Sequence, residues 1–181
     1  MTNDMVGPED LDDRPGAPFS ETEVDAAVAA MRKTAGWHIA PKRPSETVYL
    51  DVGMRERVLR LPTLKLDEIA DVRDATGDDP VTIEPGGYRA SRRTGLVRRT
   101  GGYWPAGYEA VEVDMTHGYD ETPPDLLPLI AQLALTERRD RSVRTVSVDD
   151  ASTTYANATT ALAGIAGRTG ALAPYVIPVV R

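Results

Sequence analysis

The spacing of apolar side chains changes along this chain, and that change limits its possible folds more than any other feature. Between residues 46 and 115, apolar residues alternate with polar ones in about six short runs, separated by turn residues roughly every ten positions. No helical pattern separates these runs, which excludes a fold built from βαβ units. The pattern predicts a small antiparallel sheet or a partly closed barrel.

Helical patterns lie on both sides of this β-rich segment. Ser20 and Glu23 form a capping-box pattern, and an amphipathic helix follows as far as Gly36. Beyond the β-rich segment, "DLLPLIAQLALTERRDR" predicts a second helix that begins at Pro124 or Asp125, and "ATTALAGIAGRTGALAPY" indicates a further, glycine-broken one. The predicted fold class is α+β: a small helical bundle with an inserted antiparallel β-sheet or partial-barrel domain and extended N- and C-terminal tails.

These patterns divide the chain into five segments. They are an acidic N-terminal tail that is disordered or docks onto a partner (1–19), a helix with its linker (20–45), the inserted β-rich domain (46–120), a helical part (121–170) and an extended C-terminal docking tail (171–181). The last segment is apolar and interrupted by prolines, and tails of this kind add strands to a partner's sheet, although a core strand is the alternative. The predicted docking residues are Pro174, Tyr175, Val176, Ile177, Pro178, Val179, Val180 and Arg181.

Charged residues are unevenly distributed along the chain, and this limits the classes of molecule that the protein can bind. A net charge of −7 and an isoelectric point near 4.9 argue against a protein that binds nucleic acid over its whole surface. The segment 87–102 nevertheless carries five arginines and no acid, which predicts contacts with DNA phosphates or with an acidic neighbouring subunit, against the alternative of a solvated hairpin. These arginines are Arg89, Arg92, Arg93, Arg98 and Arg99.

The sequence contains no convincing catalytic or metal site. There is no cysteine, so disulfides, thiolate zinc sites and thiol nucleophiles are excluded, and no phosphate-binding glycine loop or serine nucleophile elbow is present. His117 is one of two histidines; Asp114 would face the other side of a strand, and His38 lies far away in the chain. We therefore predict that His117 is structural and that the protein has no metal and no cofactor.

The segment "THGYDETPPD" is predicted to be the junction at which the β-rich domain returns to the helical part. Its structural residues are His117, Gly118, Tyr119, Pro123 and Pro124. In "GGYWP" (101–105) an aromatic pair follows a tight turn, which favours a plug at the edge of a small sheet core. The absence of a signal-like N-terminus and of a long apolar run leads us to expect a protein kept inside a cell unless something larger carries it out, with no membrane partner.

Taken together, these features resemble the head-to-tail connector (adaptor) proteins of long-tailed bacteriophages, particularly those that infect actinobacteria. The resemblance covers roughly residues 20–165 and is carried by Trp37 with Pro41 and Pro44, by "RLPTL" at 60–64, by "GGYWP", and by the apolar strand, "THGYD", Pro-Pro-Asp and apolar helix in that order. It implies a virion structural protein without enzymatic activity, assembled in the bacterial host cytoplasm and located in the head–tail neck.

The resemblance further implies a homo-oligomeric ring, typically of twelve copies, that binds the portal protein and a stopper or tail-terminator protein and extends the channel for genomic DNA. The residues alone agree with a ring, because oppositely charged segments and apolar ends leave surface that assembly would bury. A net negative channel wall would also let DNA pass. The alternative is a small DNA-binding module or an enzyme that uses the arginine hairpin and His117.

Overall fold

The computed structural model describes residues 5–142, 145–148, 151–154 and 170–178, with only the backbone of 139–142 and of the two short ranges that follow. The described helices are α1 (Glu21–Ala35) and α2 (Leu127–Ser142), with 3₁₀ turns at Pro8–Leu11, Pro85–Gly87 and Ala173–Tyr175. The described strands are β1 (Arg43–Val52), β2 (Val58–Arg60), β3 (Leu66–Asp74), β4 (Val81–Thr82), β5 (Tyr88–Ala90), β6 (Leu96–Arg99), β7 (Gly107–His117), β8 (Thr145–Val148) and β9 (Ala151–Thr154).

The α+β class is confirmed, and the described strands form open antiparallel sheets rather than a closed barrel. The glycine-broken helix expected in "ATTALAGIAGRTGALAPY" lies almost entirely outside the described residues. Among the described helices, none combines the length and the apolar character that crossing a membrane requires. The chain divides into two compact units: a helical unit made of Met1–Trp37 with Glu121–Arg181, and a β unit made of His38–Asp120.

Helix α1 of the helical unit begins and ends where the sequence predicts. The backbone N–H of Ser20 donates to Glu23 Oε2 over 2.9 Å, which completes the capping box. Gly36 has a φ of 80°, a left-handed conformation that glycine adopts without strain, and its N–H bonds to Arg32 O. The apolar side chains of α1 that are almost fully buried are Val24, Ala27, Val28 and Met31.

Helix α2 contacts α1 with its own apolar side. It begins at Leu127, not at Pro124 or Asp125, because residues 124–126 form a turn in which the Leu126 N–H bonds to Pro123 O over 3.0 Å. The side chains that are buried in and just before α2 are Leu126, Leu129, Ile130, Ala131, Leu133 and Ala134. Burial of two facing apolar stripes gives the helical unit its core.

Residues 5–19 differ from the expectation of a disordered tail. Leu11 in the first 3₁₀ turn is completely buried, and Met5, Val6 and Phe19 are more than nine-tenths buried. The Thr122 hydroxyl donates to the carbonyl of Met5, so the segment is also held by polar contacts. Composition predicts disorder here because acids, glycines and prolines dominate the average, although these four apolar side chains are enough to anchor the segment. Docking onto a partner stays a prediction.

The β unit consists of two antiparallel sheets around one apolar cluster. The larger sheet has the strand order β1-β7-β3-β4 and the smaller one β2-β6-β5, and both contribute buried residues to the cluster. Trp104 of "GGYWP" belongs to this cluster, and its Nε1–H donates to Arg57 O over 3.1 Å. Tyr103 is half-exposed, so the predicted aromatic plug consists of Trp104 alone.

Candidate functional site

Four of the five arginines singled out in the sequence lie on the exposed surface of the hairpin formed by β5 and β6. Arg89 and Arg98 are register partners on these neighbouring strands, so their side chains share one face of the sheet. Arg92 and Arg93 are exposed in the connecting turn. Like charges placed opposite each other repel, and an anion or an acidic surface bound at this point would relieve that repulsion.

The fifth arginine, Arg99, has a role in the fold. Its guanidinium carbon lies 5.4 Å from the centre of the Trp104 ring, and its Nη1 donates to Gly87 O over 3.1 Å. The neighbouring position Arg98 lies on the opposite, exposed side of the strand. Arg89, Arg98, Arg99 and Thr100 line a shallow depression on the small sheet. Arg99 therefore makes a cation–π contact with Trp104, whereas the other four arginines are exposed.

The described part of the C-terminal segment, residues 170–178, contacts its own chain. The Trp37 Nε1–H donates to Tyr175 O over 2.6 Å, and the Ile177 N–H donates to Ala35 O over 2.9 Å. The Tyr175 hydroxyl donates to the carboxylate of Asp125 over 2.9 Å. The segment was expected to be extended; instead Pro174 and Tyr175 lie in a 3₁₀ turn, while Val179–Arg181 lie outside the described residues.

The predicted junction is divided between the two units. His117, Gly118 and Tyr119 belong to the β unit, and Pro123 and Pro124 belong to the helical unit. Gly118 has a φ of 104°, and a Cβ at this position would lie 2.5 Å from His38 Nε2, so glycine is required there. Its N–H donates to Lys65 O, and the N–H of Tyr119 donates to Ile39 O. These bonds end strand β7 and turn the chain.

His117 is the last residue of β7, and only 1% of it is exposed. Its Nε2 lies 3.0 Å from Glu46 Oε2, within hydrogen-bond distance, and its ring meets the His38 ring edge-on with 4.5 Å between the centroids. Asp114 lies on the other face of β7, as predicted. His117 therefore has a carboxylate partner, but it is Glu46 on the neighbouring strand.

Burial and hydrogen bonding shift the pKa values of His117 and Glu46 in opposite directions. Burial lowers the pKa of His117, and the hydrogen bond to Glu46 only partly offsets that effect, which favours the neutral ring at neutral pH. Burial acts to raise the pKa of Glu46, but hydrogen bonds from Arg43 and His117 outweigh it, so its pKa is lowered. The site thus combines a neutral imidazole with an ionised carboxylate.

The expectation that His38 is too far from His117 to share a metal with it is wrong. His38, although distant in the chain, lies beside His117, and Glu46 completes a group whose potential ligand atoms all lie within 4.8 Å of one another. The two histidines stand near the two ends of the β unit. Because an inserted domain usually has its ends close together, this position was the signal that could have brought the two residues together.

No protein-family model matches the sequence, and no curated protein does. Three solved structures are similar in fold. A chain from the neck of an empty gene transfer agent (GTA) particle computed with C6 symmetry is 17% identical, with a TM-score of 0.52, over 93% of this chain and 85% of that one. A chain from the neck of the native GTA particle computed with C12 symmetry is 17% identical, with a TM-score of 0.50, over 89% of this chain and 83% of that one.

A chain from the virion of the native GTA particle is 18% identical, with a TM-score of 0.54, over 97% of this chain and 91% of that one. At identities this low, the likeness shows a common fold. The expectation of an actinobacteriophage type finds no support in these three structures.

Proposed function

We propose that this chain is a structural protein of the neck of a phage-like particle. The observation that supports this most strongly is the extent of the likeness to the GTA virion chain, which covers 97% of this chain and 91% of that one. Such coverage includes both the helical unit and the β unit of this chain. A neck protein acts by binding its neighbours, and we propose no enzymatic activity.

The proposed assembly is a homo-oligomeric ring, with twelve copies, that extends the DNA channel between the portal and a stopper or tail-terminator protein. The necks of the two similar structures were computed with C6 and C12 symmetry, and a ring fits both. The net charge of −7 supports a channel role, since a negative wall repels DNA and lets it slide. Assembly would take place in the host cytoplasm, and the protein would remain in the virion neck.

The exposed arginines of the β5–β6 hairpin fit a contact between subunits. Arg89 and Arg98 lie side by side on neighbouring strands. The segment 87–102 contains no acidic residue, whereas the chain as a whole has an excess of acids. An acidic surface on the adjacent copy would neutralise this pair and define the orientation of one copy against the next. Neutralising the hairpin would then weaken ring formation.

The C-terminal tail, 171–181, is the proposed portal-docking segment. Its described part makes hydrogen bonds to its own helical unit from Trp37, from Ile177 and from Tyr175, and Leu172 is almost fully buried. Each hydrogen bond contributes about 0.5–1.5 kcal/mol and burial of the leucine adds about 1.5–3 kcal/mol, so release of the whole segment would require an apolar interface with a partner's sheet. Docking would therefore begin with the residues after Pro178 and extend backwards.

The test is assembly with the portal protein encoded in the same genome. Full-length chain and portal, mixed and analysed by native mass spectrometry, are expected to form a complex with a ring of this chain. Deletion of 179–181 is expected to weaken that complex while the isolated chain keeps its circular dichroism spectrum. If chain and portal stay apart, or if the deletion leaves their affinity unchanged, the docking proposal fails.

One observation favours the alternative, a DNA-binding module: four arginines are exposed around one hairpin. Replacement of Arg89, Arg92, Arg93 and Arg98 by glutamine would then abolish salt-dependent binding of duplex DNA, and the salt slope would fall by about one for each phosphate that is no longer neutralised. Arg99→Gln is the matched control, because Arg99 contacts Trp104 instead. DNA binding that is absent in the wild type, or unchanged in the quadruple variant, excludes this alternative.

A further inference from the structure

We propose that His38, Glu46 and His117 form a binding site for a divalent transition metal ion such as Zn²⁺. The three side chains come from the segment before β1, from β1 itself and from the end of β7. All three belong to the β unit, so the site is complete within it. The proposal does not depend on the role of the protein in a particle neck.

The distances fit a small metal site. The potential ligand atoms lie within 4.8 Å of one another, and His117 Nε2 and Glu46 Oε2 are already 3.0 Å apart. Tetrahedral zinc with bonds of about 2.0–2.1 Å holds its ligand atoms roughly 3.4 Å apart. Ligand atoms within 4.8 Å of one another therefore need to approach by no more than about 1.4 Å to reach bonding distance of one ion.

The residue types fit the same metal. Imidazole nitrogen and carboxylate oxygen are the ligands zinc takes when no thiolate is present, and three protein ligands leave a fourth position for water. His38 and His117 are 7% and 1% exposed, so the ion would be largely screened from solvent on their side. The metal would occupy the place of the proton between His117 Nε2 and Glu46 Oε2, and the remaining ring proton would reside on Nδ1.

The surroundings of His117 support a ligand role over packing alone. Its polar partner lies on the Nε2 side of the ring, whereas Nδ1 is buried and has no hydrogen-bond partner in the described part of the chain, with or without an ion on Nε2. A buried ring with an unsatisfied nitrogen costs free energy that an apolar side chain would not. A metal site explains why a two-nitrogen ring lies beside a second imidazole and a carboxylate when an apolar side chain would fill the space.

Arg43 competes with the ion. Its Nη1 lies 3.1 Å from Glu46 Oε2 and 3.3 Å from Oε1, so the carboxylate already has a cationic partner. The Arg43 side chain is about half exposed and can move into solvent when the metal binds. We therefore expect that loss of a ligand weakens metal binding and that loss of Arg43 strengthens it.

A bound metal ion would link the two ends of the β unit. His38 is its first residue, and His117 lies near its last residue, Asp120. The Tyr119–Ile39 hydrogen bond and the contact of Lys42 Nζ with Asp120, 2.7 Å, already join the same ends. A metal that binds only the folded unit raises its stability by mass action.

The experiment uses the full-length chain without a histidine tag and Co²⁺ as a spectroscopic probe for the zinc site. The chain has two histidines and no cysteine, so any imidazole ligation must come from this pair. We expect one Co²⁺ per chain, visible absorption bands of a four-coordinate ion, and displacement by Zn²⁺. Affinity should fall at least tenfold in His38→Gln and in Glu46→Gln, and should rise several-fold in Arg43→Gln.

The control is Glu84→Gln, which removes an exposed carboxylate of the same unit outside the site and should leave the affinity unchanged. Should His38→Gln or Glu46→Gln not fold, ¹⁵N shifts of the two imidazoles of the wild-type chain on addition of Zn²⁺ decide the question. Shifts of both rings support the site. Absence of ring shifts, absence of Co²⁺ binding by both the wild type and Arg43→Gln, or equal affinity in the wild type and the ligand variants overturns it.

Discussion

The β unit and the helical unit differ in the way the chain closes them. The β unit is built from one continuous stretch, His38–Asp120, and its apolar cluster joins neighbouring strands. The helical unit joins segments from both ends of the chain, and its polar contacts reach from Glu23 to Arg138 and from Trp37 to Tyr175. The difference teaches that local pattern predicts the elements of both units, whereas the helical unit is completed by contacts between segments that lie on either side of the β unit in the sequence.

The largest expected effect concerns the N-terminal segment. Replacement of the buried Leu11 by alanine should lower the free energy of unfolding of the helical unit by about 2–5 kcal/mol, because a large side chain leaves a cavity. Urea denaturation measures this, with Asp13→Ala at an exposed position as the control. A loss below about 0.5 kcal/mol for Leu11→Ala, typical of a surface change, would mean that this segment is not part of the core.

The ion pair between Glu23 and Arg138 should contribute somewhat less to the free energy of unfolding. Arg138 Nε lies 2.8 Å from Glu23 Oε1, and this hydrogen bond is the main cause of a Glu23 pKa of about 2, below the ordinary 4.5. Glu23→Gln should lower the free energy of unfolding by roughly 1.5–3 kcal/mol, the range for hydrogen bonds to charged groups. Double-mutant cycles with Arg138→Ala measure the coupling.

This pair also predicts a pH dependence. The folded pKa of Glu23 is lower than the unfolded one, so its contribution is fully present above pH 4.5 and is lost as the pH falls towards 2. The difference in unfolding free energy between the wild type and Glu23→Gln should therefore shrink over that window. A difference that stays constant from about pH 6 to about pH 3 would contradict the ion pair.

The two tryptophans offer a matched comparison between the units. Each donates its Nε1–H to a backbone carbonyl: Trp37 to Tyr175, and Trp104 to Arg57. Phenylalanine at either position should cost about 0.5–1.5 kcal/mol for the hydrogen bond alone. Only Trp37→Phe should speed hydrogen exchange at the Ile177 amide, which bonds to Ala35. Equal exchange rates at that amide in the two variants would mean that the Trp37–Tyr175 hydrogen bond does not hold the C-terminal segment in place.

The smallest effect is expected on the exposed face of the larger sheet. Arg73 lies 2.7 Å from both Glu112 and Asp114 and 3.2 Å from Asp71, and the hydrogen bond to Glu112 is the main cause of its raised pKa. Arg73→Gln should slightly lower the melting temperature of the β unit, and the decrease should diminish in high salt, which screens surface charges. A decrease that does not depend on salt would point to packing instead.

Some elements could be predicted because their causes are local. The capping box at Ser20, the left-handed Gly36 and the alternation along β7 are each decided by residues that are neighbours in the chain. The single buried aromatic of "GGYWP" could be expected as a plug, although the sequence did not show that Trp104, and not Tyr103, would fill the core.

Other features could not be predicted because folding brings distant residues together. The pairing of His38 with His117 depends on the antiparallel register of β1 and β7 and on the left-handed turn at Gly118. The separation of Arg99 from the exposed arginines depends on which side of β6 faces Trp104. Burial of Leu11 is concealed by a composition that indicates disorder when it is averaged over the segment.

The most direct test of the proposed neck role is a cryo-EM reconstruction of the neck of particles encoded by the same genome. The account predicts a ring of copies of this chain next to the portal, with the helical unit and the β unit both resolved and side-chain density that matches this sequence. Intact necks resolved to the same detail in which every ring belongs to other chains would contradict it.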